Sequence, residues 1–189
     1  MIKIGIIGDI GSGKSHIAQK FGYPVFNADY EVAKLYQVDK KIFDKLKKKL
    51  PKYIFSFPIE KNEISSAILA DKKNLNKIIK IVHVEIRKKM DIFLRKNKNS
   101  KFVVLDIPLL LENKINKKGD ILVFVQSKQS DILKKLKKRK NFNQKLLKKF
   151  KNIQYSSKYK KKKSDFIIKN DFTKKSVNDG INKIIKEII

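Results

Sequence analysis

The eight residues Gly8-Asp9-Ile10-Gly11-Ser12-Gly13-Lys14-Ser15 carry the densest chemical signal in the chain. They match G-x-x-x-x-G-K-[ST] in full. Each residue type has a physical reason to be there. The glycines let the backbone wind tightly, so that successive N–H groups point inward at phosphate oxygens. A helix starting behind them adds its positive end. A lysine at position 14 reaches the β- and γ-phosphates as a mobile point charge, and the Ser15 hydroxyl suits Mg²⁺. The motif therefore predicts a nucleoside triphosphate such as ATP. It leaves the reaction open among GTPases, motor ATPases and small-molecule kinases. No guanine-reading N-K-x-D sequence is present.

Four other places carry candidate groups, each with a competing structural role. Asp29 follows the second apolar strand pattern and is placed to accept the proton of an attacking hydroxyl; it is equally placed to cap the next helix. Asp106 ends a run of four apolar residues, where a carboxylate can hold Mg²⁺ or its waters, or cap a turn. Arg139 is the lone arginine in a lysine-dense stretch, and a guanidinium there suits bridging phosphate oxygens or simply a solvated helix face. His83 falls within an apolar helical pattern and reads as a core or groove residue. Pro108-Leu109-Leu110-Leu111 reads as a buried bend with Glu112 emerging from it.

The elements that must position these groups follow from hydrophobic period. Lys3–Ile7, Tyr23–Phe26, Phe102–Asp106, Asp120–Val125 and Phe166–Ile168 read as strands. Helices are predicted from about residue 14 to 21 with Gly22 just beyond, from Asp29 through Tyr36, across 39–100 with breaks at Pro51 and Pro58, over 130–138 and 144–155, and over 174–188. The Lys160–Lys163 run reads as a solvated face or loop. Strands alternating with helices predict a parallel α/β sheet. The expected organisation is one domain: a core of about 1–36, 101–130 and 164–189, a helical lobe of about 37–100, and a lid of about 131–163.

Composition sets the outer bounds. Cysteine is absent, which excludes a disulfide scaffold and thiol chemistry. There are 47 Lys+Arg against 18 Asp+Glu, a net charge of +29. Only Arg87, Arg95 and Arg139 of those are arginine, whereas readers of nucleic acid favour arginine. The lysine, isoleucine and asparagine excess fits an A/T-rich coding bias, so no specific nucleic-acid partner is expected. No apolar run approaches the roughly 18–20 residues of a spanning helix. Met1 runs almost directly into the glycine-rich loop, without a secretory segment. A soluble, cytoplasmic protein is expected, monomeric or weakly homo-oligomeric.

Taken together, these residues resemble the dephospho-CoA kinase family. The loop is followed by Asn27-Ala28-Asp29 where the family has Asp-Ala-Asp, and by His83-Val84 where it has His-Pro. Asp106-Ile107-Pro108-Leu109-Leu110-Leu111-Glu112 matches its Pro-Leu-Leu-x-Glu element. Arg139 precedes Gln154 by 15 residues, and Ser164-Asp165-Phe166-Ile167-Ile168-Lys169-Asn170 matches its closing element. His16 and Lys135 replace a usual threonine and arginine. The resemblance implies a three-layer P-loop kinase with a five-stranded parallel sheet, an inserted helical substrate lobe and a helical lid. It implies transfer from ATP, with Mg²⁺, to the 3′-hydroxyl of dephospho-CoA. Lys14, Asp29 and Arg139 would be catalytic. Gly8 through Ser15, His16 and Asn170 would bind the nucleotide. Asp29, His83, Pro108, Leu109 and Glu112 would bind the acceptor, and Ser15 with Asp106 the metal. Two other readings remain: a kinase of another metabolite such as a nucleoside monophosphate, and a non-catalytic nucleotide- or RNA-binding protein.

Overall fold

Five apolar segments form one sheet in the computed structural model, which describes residues 1–139 and 142–189. The elements run β1 (Ile2–Gly8), α1 (Lys14–Lys20), β2 (Val25–Asn27), α2 (Ala28–Val38), α3 (Lys40–Lys49), α4 (Lys61–Ala70), α5 (Lys72–Lys96), β3 (Phe102–Asp106), β4 (Ile121–Gln126), α6 (Gln129–Lys137), α7 (Gln144–Lys151), α8 (Ser157–Lys163), β5 (Phe166–Lys169) and α9 (Lys174–Ile188).

The chain divides into two units. The first comprises Met1–Asn27, Asn97–Phe142 and Ile153–Ile189. Its sheet has the order β2-β3-β1-β4-β5 with every pairing parallel. Ile4, Ile6, Val104, Val123 and Ile168 pack against Ile17, Ala18 and Phe21 of α1 and Val177, Ile181 and Ile184 of α9. The opposite face is closed partly by Leu110, which lies against Gly5. Because all strands are parallel, the segments after β1, β2, β3, β4 and β5 share one edge of the sheet. That carboxyl edge is where open α/β sheets bind ligands. β2 begins at Val25, two residues later than the pattern suggested. Pro24 has no N–H to give a ladder, although its carbonyl still accepts from Val104 N at 2.9 Å.

The second unit comprises Ala28–Lys96 and Asn143–Asn152 and is helical. Ile42, Leu46, Leu75, Ile78, Val82 and Ile86 recur at helical spacing and are buried. The Asp39 side chain accepts from Ile42 N at 3.0 Å and caps α3, and Asn143 caps α7 through Leu146 N. α2 is tied to α5 by the Glu31–Lys89 pair at 3.1 Å. α7 packs on α4, where Lys149 Nζ donates to the Leu69 carbonyl at 2.9 Å. α7 stops at Lys151, short of the expected Tyr155. The chain then restarts at Ser156, whose hydroxyl accepts from Tyr159 N and caps α8. The lysine run therefore lies on a helix, not a loop.

Candidate active site

The loop from Gly8 to Ser15 follows β1 at the carboxyl edge and opens α1 at Lys14. Two glycines are forced by their surroundings. Gly13 has φ +96°, and a Cβ there would lie 2.5 Å from the Asn170 amide nitrogen. Gly11 has φ +85°, and its Cβ would meet Leu136 of α6 at 2.9 Å. Both conformations are left-handed, and a side chain would add a clash to the strain. Lys14 Nζ folds back over the loop and donates to the Asp9 carbonyl at 2.8 Å.

Asn170, at the end of β5, is 4% exposed. Its amide donates to the Ser12 carbonyl at 2.8 Å and its side-chain oxygen accepts from Phe172 N at 2.9 Å. One end of the side chain thus holds the loop and the other closes a turn two residues further on. The geometry makes Asn170 a clamp on the loop. Ser127 Oγ, just after β4, supports the same Ser12 carbonyl at 3.0 Å.

Asp106 ends β3, and 4% of it is exposed. Burial pushes its carboxyl above the usual carboxylate range, while a hydrogen bond from Ser15 and the charge of Lys14 pull the other way. Asn27, at the end of β2, donates its amide to Asp106 Oδ2 at 2.8 Å. The structure therefore brings Lys14, Ser15, Asn27 and Asp106 together at the ends of three adjacent strands. A carboxylate beside a hydroxyl fits Mg²⁺, a hard cation that takes few protein ligands and keeps waters and phosphate oxygens for the rest. Among the described residues no group of three or more His, Cys, Asp and Glu gathers as a self-sufficient metal cage. His16 is exposed on α1 directly after Ser15.

The Pro108–Glu112 turn differs from expectation in one respect. Leu110 is buried as predicted and Leu109 takes a left-handed φ of 59°. Glu112, however, turns inward. Its side chain is 11% exposed, and Oε1 accepts from Tyr155 N at 2.8 Å. Tertiary hydrogen bonding recovers the cost of burying that carboxylate.

Arg139 is exposed just past α6, where its N–H donates to the Leu136 carbonyl at 3.1 Å. Asp29 and His83 belong to the helical unit. α2 begins at Ala28, so Asp29 lies in the first turn of the helix and is exposed there. It is not the helix cap, and its charge favours the positive end of α2. His83 is half-buried on α5. Burial holds its imidazole pKa down, and the nearby Arg87 adds to the effect.

Sequence reasoning missed a second layer around Asp9. Its carboxylate accepts from Ser157 Oγ at 2.6 Å and Gln129 Nε2 at 3.1 Å, and Lys160 Nζ lies 3.6 Å away. Lys160 is 3% exposed, in a run read as solvated. A helical period through 157–163 would have turned one lysine of the run inward, but only if a helix had been expected there.

Comparison with known proteins agrees with this geometry. The sequence profile of the dephospho-CoA kinase family matches residues 2–176. A dephospho-CoA kinase of Wolbachia pipientis is 34% identical, over 98% of this chain and 97% of that protein. One of Rickettsia conorii is 32% identical, over 100% and 98%. Among solved structures, TT1252 from Thermus thermophilus superposes with a TM-score of 0.80 at 22% identity, covering 100% of this chain and 98% of its own. A dephospho-CoA kinase from Campylobacter jejuni superposes at 0.61 with 21% identity, covering 98% and 96%. At those identities the structures attest the fold. The profile and the relatives attest more, and the chain belongs to the dephospho-CoA kinase family.

Proposed function

We propose that the chain transfers the γ-phosphoryl group of ATP to the ribose 3′-hydroxyl of dephospho-CoA, giving CoA and ADP. The observation that carries this reading is the constellation of Lys14, Ser15 and Asp106 behind a complete phosphate loop, in a chain of this family. Phosphoryl transfer asks the protein for positioning and charge neutralisation more than for covalent chemistry.

The amides of Gly11 through Ser15 and the Lys14 ammonium receive the phosphates. Lys14 exchanges the Asp9 carbonyl for phosphate oxygens as it does so. Asn170 and Ser127 keep the loop in shape by holding the Ser12 carbonyl. Ser15 and Asp106 would hold Mg²⁺, which supplies charge neutralisation across the β- and γ-phosphates. Asp29, in the first turn of α2, orients the 3′-hydroxyl and accepts its proton. Arg139, exposed beyond α6, neutralises the transferring group. In this reading His83 and the residues of the Pro108–Glu112 turn are assigned to acceptor binding. A cytoplasmic location, where ATP is abundant, belongs to the same reading.

The product tests this. Incubation with MgATP and dephospho-CoA should yield CoA by mass spectrometry, with the new phosphate on the ribose 3′-oxygen by phosphorus NMR. Phosphate at another position, or ADP formed with dephospho-CoA recovered unchanged, would refute the reading.

A further inference from the structure

Four consecutive lysines, Lys160 to Lys163, lie on α8, and Lys160 alone among them is buried, at 3% exposure. An ammonium taken out of water needs close partners for three N–H donors. Lys160 has none of them close. Its Nζ lies 3.5 Å from the Gly8 carbonyl, 3.6 Å from Asp9 Oδ1 and 3.9 Å from Glu112 Oε1. An N–H···O bond of ordinary strength is about 2.9 Å. The two carboxylates balance its charge at ion-pair range, yet each spends its short bonds elsewhere: Asp9 on Ser157 and Gln129, Glu112 on Tyr155 N. The lysine is caged and loosely held.

What it faces explains the arrangement. Lys160 lines one cavity together with Lys14, Gly8, Glu112 and Gln154. Lys14 donates to the carbonyl of Asp9 and Lys160 approaches that of Gly8, so the two ammonium groups sit on consecutive carbonyls of the same loop. The cavity has room for about one water molecule, and an anion drawn toward one of the two ammonium groups would be attracted by the other as well. The phosphate loop is built to bring such an anion to Lys14.

We propose that Lys160 is a second phosphate-contacting cation of the nucleotide site. When ATP fills the loop, its ammonium leaves the long contacts with Gly8, Asp9 and Glu112 and binds the terminal phosphoryl group beside Lys14. This rests on the ATP-binding part of the function proposed above and is independent of the acceptor. It also gives the buried lysine a purpose that a strut would not need, since a strut would hold its carboxylates at short range.

The test compares MgATP and MgADP binding, by calorimetry without acceptor, in the native protein and in Lys160→Met, Lys160→Gln and Lys160→Arg. Loss of a charge-assisted contact to the terminal phosphate should weaken ATP about tenfold or more in the two neutral variants, with ADP within about threefold of native. Lys160→Arg should recover most of the ATP affinity. Equal losses for ATP and ADP with a lowered melting temperature would make Lys160 a strut and overturn the proposal. So would unchanged affinities, or failure of both neutral variants to fold. Native protein that binds MgATP but turns over no dephospho-CoA would refute the acceptor while leaving this comparison decisive.

Discussion

Asn27 stands where the family has an aspartate, and its contact with Asp106 makes the substitution Asn27→Asp informative. The Asn27 amide donates to Asp106 Oδ2 at 2.8 Å. Aspartate would exchange that donor for a carboxylate at the same reach. Two unit charges 2.8 Å apart repel by about 6 kcal/mol at an effective dielectric of about 20, and by about 1.5 kcal/mol in water. Asp106 is buried and its carboxyl is already pushed upward, so the pair resolves the conflict by sharing a proton. After that relaxation a residual cost of about 2 kcal/mol is expected, which for a chain of this size lowers the melting temperature by about 4–8 °C. The sign of its pH dependence is fixed. The shared proton is held more tightly in the folded protein than by free aspartates in the unfolded chain. The deficit therefore opens as pH rises above about 4 and is full once the folded pair has ionised. A Mg²⁺ ion bound at the site would offset it. Thermal melts of native protein and variant from pH 5 to pH 8, with and without Mg²⁺, measure this. A difference in melting temperature that stays flat with pH and indifferent to Mg²⁺ would show that positions 27 and 106 are not in contact, and that the site is assembled differently.

Asp29→Asn separates charge from shape. Loss of the first-turn charge should cost α2 only about 0.3–1 kcal/mol, whereas loss of the base should lower turnover by roughly 10²–10⁴ in steady-state assays with dephospho-CoA; native turnover would acquit Asp29. Arg139→Ala should lower kcat by roughly 10² or more with a smaller change in ATP affinity, because its charge acts on the transferring group; an unchanged kcat returns Arg139 to a solvated surface role. His83 stays neutral to lower pH when folded than when unfolded. Stability should therefore fall as pH drops below about 6.5, and His83→Gln should flatten that slope in pH-dependent melts.

The phosphate loop was legible because its residues are contiguous and each is required by local physics: glycines for the winding, lysine and serine for the ligand. The five strands were legible from apolar runs, and Asp106 from its place at the end of one. What stayed hidden depends on contacts between distant positions. The Asn27–Asp106 bond joins residues 79 apart, and the Asp9–Ser157 bond residues 148 apart. Neither has a local pattern. Asp9 occupies a motif position where any residue is allowed, so its three supports gave no signal. Lys160 was masked by the lysines around it, since composition alone cannot say which member of a run a helix turns inward. Asn170 was expected at the nucleotide; its amide also holds the Ser12 carbonyl of the phosphate loop, a bond between residues 158 apart that no local pattern signals.

On this reading the chain couples ATP cleavage to one acceptor. The most direct measurement is release of ADP from MgATP, followed in real time with dephospho-CoA present and absent, with Lys14→Ala as the control. ADP release should be fast only when dephospho-CoA is present, stoichiometric with CoA formed, and abolished in the control. ADP release at the same rate without dephospho-CoA, or none with it from a folded protein, would overturn the assignment of dephospho-CoA as the acceptor.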